Sequence, residues 1–392
     1  MLDIPMLPSL SESSAIFAPE SYAAVRRPLA EAETMPPWCY TSPAFYQREV
    51  ERIFAKVWNF IGRDDRIPRP GDYFTLEFVG IPIVVVRDTA GSVRAFANTC
   101  RHRGSLVARG EGNCRAFKCP YHSWTYGLNG ELLSAPEMDE SAGFERKDYG
   151  LIPIRVESWA GFLFVNFDDH APPLSLHLGN LPQVLASHRM ADMVCVRRKE
   201  YDLACNWKIY VENAMEAYHV PTVHRTTLQR QKGQAPEVEK TEGHWVALYK
   251  AHEGSRALIA GDKGFPPMPS LEGRMAHGSL YPLIYPSTMF GCTIDCMWWL
   301  ELHPRGPDRT HLVVGSCFHK SVTERPDFPA VVANYYKRWD ISIPEDNAIS
   351  ELQQLGLSSP YARPGRLAHL EPLVREIDIW VLDRVVGAKS AY

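Results

Sequence analysis

Apolar and polar positions follow two rhythms along the chain. From Tyr46 to Trp58, the segment YQREVERIFAKVW repeats apolar residues at helical spacing and predicts a helix with one buried face. Beyond it the period shortens to that of strands. DYFTLEF, IPIVVVRD and SVRAFAN read as strands, the last two separated by the hairpin signal AG, and the pattern continues to GFLFVNFD near Asp168. This block predicts a small all-β domain. The proline-bearing DDHAPPLSLHLGNLP then marks a boundary. Further on, strands are expected in HWVALYKA, CMWWLELHP and HLVVGSCFH, the last two joined by the turn-like RGPD. They alternate with helices expected over Asn206–Tyr218, Pro329–Trp339, Glu345–Leu355 and Leu373–Val386. In the last of these, Leu373, Ile377, Trp380, Val381 and Val385 share one face, which marks that face as core.

The segment before Tyr46 is rich in Pro, Ala and Ser and reads as an extended arm with one short helix. The chain is therefore expected to divide into an arm (1–45), a β domain (46–168) and a mixed domain (169–392). The class is α+β, with an antiparallel sheet carrying helices in the second half.

Composition narrows the picture. A chain of 392 residues exceeds one ordinary core, and 45% hydrophobic with 22% charged residues is the balance of a soluble globular protein. A net charge of −4 offers no general attraction to nucleic acid or anionic lipid. No apolar run reaches the length of a membrane span, and MLDIPMLPSLSES lacks the basic-then-apolar order of a signal peptide, so the cytoplasm is the expected location. Nine scattered cysteines, an odd number, argue against a secreted disulfide framework. Only Cys100 and Cys119 stand in a context that suggests chemistry.

Cys100 and His102 form a Cys-x-His pair; Cys119 and His122 form a Cys-x-x-His pair sixteen residues further on. Each pair reads as a tight loop presenting two ligands, and two thiolates with two imidazoles suit either tetrahedral zinc or a Rieske [2Fe–2S] centre. The proline in CPYH, the turns of GLNG and the β-rich surroundings favour the cluster. Between Cys100 and His122, Arg101, Arg103, Arg109, Arg115 and Lys118 are set against Glu111 alone. Such a basic rim suits either an acidic electron donor or a solvated surface.

The second constellation lies in ENAMEAYHVPTVH. Glu216 and His219, three apart, are expected on one helix face, and Pro221 is expected to kink the helix and bring His224 round to His219. Two histidines with a distant carboxylate make the facial triad of non-haem Fe(II) oxygenases. IPEDNAISELQQLGLSS offers Glu345, Asp346 and Glu351; the first two are expected in the first turn of a helix, with Asp346 the preferred ligand and Glu345 its rival. Acids in a first turn also serve simply to complement the helix dipole. No G-x-G-x-x-G follows a strand, so the chain itself is not expected to bind NAD(P)H.

On these motifs the chain resembles the terminal oxygenase (alpha) component of Rieske non-haem iron ring-hydroxylating oxygenases. The resemblance runs from Tyr46 to Leu382 and is carried by CRHRG, CPYHSW, NWK followed by EN, and YHVPTVH. It implies an all-β Rieske [2Fe–2S] domain followed by a catalytic domain of helix-grip, Bet v1-like form. It implies that Cys100, His102, Cys119 and His122 hold the cluster, and that His219, His224 and Asp346 hold a mononuclear Fe(II). Glu216 occupies the place of the family's acidic bridge, which links the cluster of one subunit to the iron of its neighbour. The implied partners are O₂, a small organic substrate and a separate NAD(P)H-dependent reductase, with or without a ferredoxin, in a homotrimer. Many ring dioxygenases have Asp at the bridge. The Glu of ENAMEAYH resembles the choline, glycine-betaine and carnitine oxygenases instead.

Two substrate classes stay open: an aromatic compound, hydroxylated as in aromatic hydrocarbon catabolism, or an alkylammonium, oxidatively demethylated. Trp245, Tyr281, Tyr285, Trp298 and Trp299 are candidates for an aromatic cage around a quaternary ammonium, or for a slot in which an arginine holds an aromatic acid. A cluster-bearing electron carrier without an iron site and a zinc-bearing scaffold are the competing readings.

Overall fold

The computed structural model describes residues 15–228, 235–239 and 241–387. It contains two compact units, Lys56–Leu174 and the remainder of the described chain. No helix among the described residues is long and apolar enough to cross a membrane.

The Lys56–Leu174 unit is built on a seven-stranded antiparallel sheet. Its strands lie in the spatial order Asn59–Arg63, Phe162–Asn166, Pro153–Trp159, Val93–Ala97, Ile81–Arg87, Asp72–Phe78 and Glu111–Asn113. A three-stranded ribbon of Phe117–Lys118, Thr125–Tyr126 and Leu132–Ser134 stands beside it. Val84 and Val86 of the sheet bury themselves against Trp124, Tyr126 and Leu132 of the ribbon. The ribbon thereby fixes the loop that joins its first two strands.

The helix expected from Tyr46 begins earlier, at Pro43, because the Ser42 hydroxyl accepts from the Phe45 N–H at 3.3 Å and Pro43 occupies the first turn. It runs to Glu49, continues as a wider turn over Val50–Phe54, and belongs to the unit that contains the second half of the chain. Phe54 packs edge-on against Trp207 at 5.2 Å, which explains that membership.

The larger unit holds a second seven-stranded antiparallel sheet. Its strands are β1 (Met193–Leu203), β2 (Glu237–Val238), β3 (Trp245–Ala251), β4 (Gly278–Ile284), β5 (Thr288–Cys292), β6 (Met297–Gly306) and β7 (Arg309–His319). They are ordered β1-β7-β6-β5-β4-β3-β2. Helices α1 (Trp207–Ala214), α2 (Phe328–Leu357) and α3 (Pro372–Val385) pack with it. On α2, Trp339 meets Trp298 of β6 at 5.8 Å, and Tyr335 meets Phe318 of β7 at 5.0 Å.

Two local expectations change. The helix expected over Asn206–Tyr218 starts as expected, with Asn206 capping the Lys208 N–H at 3.0 Å, but stops at Ala214. The two helices expected over Pro329–Trp339 and Glu345–Leu355 are one helix of 30 residues with Pro344 inside it. The proline removes one donor from the ladder, but packing of both flanking halves outweighs that loss. Glu345 and Asp346 therefore sit in mid-helix and not in a first turn, and the helix-dipole explanation for them falls away.

Candidate metal centres

The two Cys/His loops are closed by parallel sets of backbone bonds. Cys100 N–H donates to Ser105 at 2.8 Å and Gly104 N–H to Cys100 at 2.9 Å. In the second loop Cys119 N–H donates to Trp124 at 2.8 Å and Ser123 N–H to Cys119 at 3.1 Å. Gly104 and Ser123 both adopt positive φ, at 76° and 61°, as such tight loops require. Cys100 and Cys119 are buried, whereas His122 is exposed and His102 half-exposed. The imidazole rings lie 4.7 Å apart, and His102 stacks on Trp124 at 5.0 Å. The Tyr126 hydroxyl reaches the Cys100 sulfur at 3.2 Å. No three of these four residues bring donor atoms as close together as a single ion requires, among the described residues. Two thiolates and two imidazoles on facing loops are the donor set of a Rieske [2Fe–2S] centre.

Of the basic rim, Arg103, Arg109, Arg115 and Lys118 are exposed. Arg103 lies over the exposed Tyr121 ring at 5.0 Å, beside His122. Glu111 is paired with Arg66 at 3.0 Å.

In the larger unit, His219, His224 and Asp346 bring one donor atom each to within 4.8 Å of one another. The Nε2 atoms of His219 and His224 face Asp346 Oδ1 at 3.5 and 2.9 Å. Donors around one ion at about 2.1 Å lie within roughly 4.2 Å of each other, so small side-chain movements would let these three share one ion. Each imidazole is aimed by a second carboxylate: His219 Nδ1 meets Glu216 Oε1 at 2.5 Å, and His224 Nδ1 meets Glu345 Oε2 at 2.7 Å. An Nδ1–H donated to a carboxylate leaves Nε2 free as the ligand atom. Glu345 is held in turn by the Thr227 hydroxyl at 2.8 Å, and Asp346 accepts from Asn213 at 3.0 Å. Burial would lower His224, but Asp346 and then Glu345 hold its imidazole above the usual range. The pocket of carboxylates thus favours positive charge, as a cation site does.

Glu345, the rival ligand, meets the Nδ1 side of His224, and Asp346 the Nε2 side. The meeting of Glu216 with His219 also differs from expectation. The helix has ended, and the Glu216 carboxylate accepts the backbone N–H groups of Tyr218 and, at 3.2 Å, His219. A side chain that competes for backbone donors breaks a helix in this way. Pro221 then lies in the first turn of a new short helix, Val220–Val223, where its missing N–H costs nothing. Glu351, the remaining acid, accepts from the Ala204 N–H at 3.0 Å.

The trio opens into a cavity of about 250 Å³. Of the five aromatic candidates only Tyr281 and Trp298 line it, joined by Phe290, which sequence reasoning missed. Side chains alternate across a strand, so neighbours Trp298 and Trp299 cannot share a face. Trp299 turns away and donates to Glu301 at 3.2 Å. Trp245 donates to the Glu242 carbonyl, and Tyr285 stacks on Trp380 at 4.3 Å. Sequence reasoning also missed three cations on the cavity wall, Lys250, Arg256 and Arg338.

Two stretches of the chain match known protein families. Residues 57–156 match the Rieske [2Fe-2S] domain, and residues 190–387 match the ring hydroxylating alpha subunit (catalytic domain). The chain is 30% identical to chloroplastic choline monooxygenase of Spinacia oleracea over 363 residues, covering 90% of this chain and 79% of that one. It is 29% identical to the glycine betaine monooxygenase oxygenase subunit of Chromohalobacter salexigens over 383 residues, covering 90% and 84%. Its structure is similar to that of the quaternary ammonium Rieske monooxygenase CntA in complex with L-carnitine, with a TM-score of 0.78, 26% identity, and coverage of 94% and 99%.

Proposed function

The chain belongs to the Rieske ring-hydroxylating oxygenase alpha subunits, and from that premise we propose that it oxidises an N-methylated alkylammonium as the terminal component of a multicomponent monooxygenase. As an oxidoreductase of this family it uses a Rieske [2Fe–2S] cluster and a mononuclear iron. In our reading Cys100, His102, Cys119 and His122 hold the cluster, and His219, His224 and Asp346 hold the iron. The bound metals supply storage of reducing equivalents and their use on O₂. Reducing equivalents come from a separate reductase, and the exposed His122 edge with its basic rim is the surface such a donor would approach.

The observation that carries the reading is the open trio at one side of the cavity. Three protein ligands leave coordination positions for O₂ and for the approach of substrate. Tyr281, Phe290 and Trp298 give the wall its aromatic character, and the Tyr281 and Phe290 rings suit a methylated ammonium. Glu216 and Glu345 fix the two imidazoles, and Asn213 fixes the carboxylate. Relatives that act on choline, glycine betaine and carnitine favour the alkylammonium over an aromatic substrate. Hydroxylation of an aromatic acid is the second reading, favoured by the cations on the cavity wall.

Oxygen uptake by iron-loaded enzyme, with a generic reductase, against betaines, choline, benzoates and phthalates tests the assignment. Formaldehyde released in step with oxygen uptake is expected from the methylated amines. His219→Ala should abolish turnover while the cluster still reduces; turnover that survives this change refutes the oxygenase site.

A further inference from the structure

The charge on the cavity wall does not suit a bare cation. Lys250, Arg256 and Arg338 line it, against two acids, Glu216 and Asp346. Both acids are already committed: Glu216 to His219 at 2.5 Å, Asp346 to His224 at 2.9 Å and to Asn213 at 3.0 Å. The basic side chains thus outnumber the acidic ones on the wall. A substrate consisting only of a cation would enter against them.

Arg338 is the most telling of the three. It is only 7% exposed, and its Nε has no hydrogen-bond partner. Its guanidinium lies over the Trp298 ring at 4.8 Å, which occupies a face that a cage would otherwise offer to an ammonium. Ser342, 1% exposed, presents a hydroxyl to the same cavity and likewise lacks a partner. Arg338, Ser342 and Asp346 follow one another at intervals of four along α2 and so share a face. The helix therefore lines the cavity with Asp346 at one end, the Ser342 hydroxyl about one turn away and the buried Arg338 about two turns away. Burial of an unpaired donor costs stability unless a ligand satisfies it. Burial, and after it the Arg256 charge, lowers Lys250 to about 8.

We propose that the substrate carries a carboxylate, received by Arg338 with Ser342 and Lys250, while its oxidised carbon points to His219, His224 and Asp346. This rests on the alkylammonium reading for the rest of the molecule and narrows it to betaine-type zwitterions. Choline binds more weakly on this reading, because it meets the Arg338 and Lys250 charges without a compensating anion. The carboxylate also fixes which end of the molecule faces the metal.

Binding separates this proposal from the function on which it rests. Calorimetric titration of anaerobic holoenzyme with glycine betaine, choline, benzoate and benzyl alcohol is expected to show betaine binding at least ten-fold more tightly than choline. Arg338→Gln should weaken betaine at least thirty-fold and leave choline unchanged or improved; Arg338→Lys should restore part of the loss. Should Arg338→Gln not fold, Lys250→Met on the half-buried wall carries the test, with a several-fold loss for carboxylates alone. Choline binding as tightly as betaine, or betaine binding indifferent to both substitutions, overturns the proposal and leaves the alkylammonium function standing. Benzoate bound through Arg338, with betaine and choline both ignored, upholds the carboxylate and removes the alkylammonium. If no carboxylate binds, the proposal fails.

Discussion

Glu345 and Asp346 are adjacent acids with different work. On a helix, consecutive residues point about 100° apart, so one carboxylate can face the metal position while the other reaches the far nitrogen of His224. Nothing in the local sequence distinguishes them; only the placement of His224 does. The two should separate by experiment. Asp346→Ala should remove the iron, whereas Glu345→Gln should weaken iron binding about 10–100-fold by leaving the His224 ring less firmly held. Dissociation constants for Fe(II) from the two variants check this, and native affinity in Glu345→Gln would show that His224 needs no such support. Glu216 is the same kind of case. The motif gave its spacing from His219, but the contact is made through a turn and not across a helix face.

At the level of elements, the site stands on a buried polar joint. Lys208 of α1 and Glu49 of the Pro43–Glu49 helix pair at 2.6 Å with both side chains fully buried. Lys208 also donates to Asn206 at 2.7 Å, and Trp207 donates to Glu49 at 3.1 Å. Nearby, the Tyr40 hydroxyl donates to Glu212 at 2.9 Å. Burial lifts Glu212 to about 7, against the pull of Tyr40 and Lys208, and lifts Asp378 of α3 well above its usual range. These groups tie α1 to its neighbours directly upstream of Asn213 and Glu216. Removing one member of such a pair leaves a buried charge without compensation. Lys208→Met should therefore cost about 3–5 kcal/mol, and the double change Lys208→Met with Glu49→Leu should recover much of it. Denaturant midpoints for the two variants give the comparison; a single variant as stable as the parent would mean that Glu49 simply takes a proton.

For the whole molecule, the proposed bridge at Glu216 requires more than one copy, since it joins the iron of one subunit to the cluster of the next. A ring of three is the assembly we propose. Chains carrying Cys100→Ser and chains carrying Asp346→Ala should each be inactive alone. Co-expressed, they should form mixed rings in which an intact cluster faces an intact iron site, with turnover well above either parent. Mixed assemblies of confirmed composition that stay inactive would count against exchange between copies.

Much of this protein is legible in local order along the chain. The strands DYFTLEF and IPIVVVRD announce themselves by alternation, and the two Cys/His loops by a spacing that only a metal centre needs. His219, His224 and Asp346 could be chosen because a soft cluster motif upstream made an iron site the sensible partner for two histidines and an acid. Other features depend on contacts distant in sequence. The pattern predicts two helices on either side of Pro344, yet the packing of Tyr335 and Trp339 on the sheet outweighs one lost bond and keeps α2 whole. Trp298 and Trp299 are equivalent in composition, and only the register of β6 decides which faces the cavity. Lys250, Arg256 and Arg338 lie on separate segments, unremarkable one by one. Their significance comes from convergence on one cavity, where basic side chains brought together by the fold are the basis for the carboxylate proposed there.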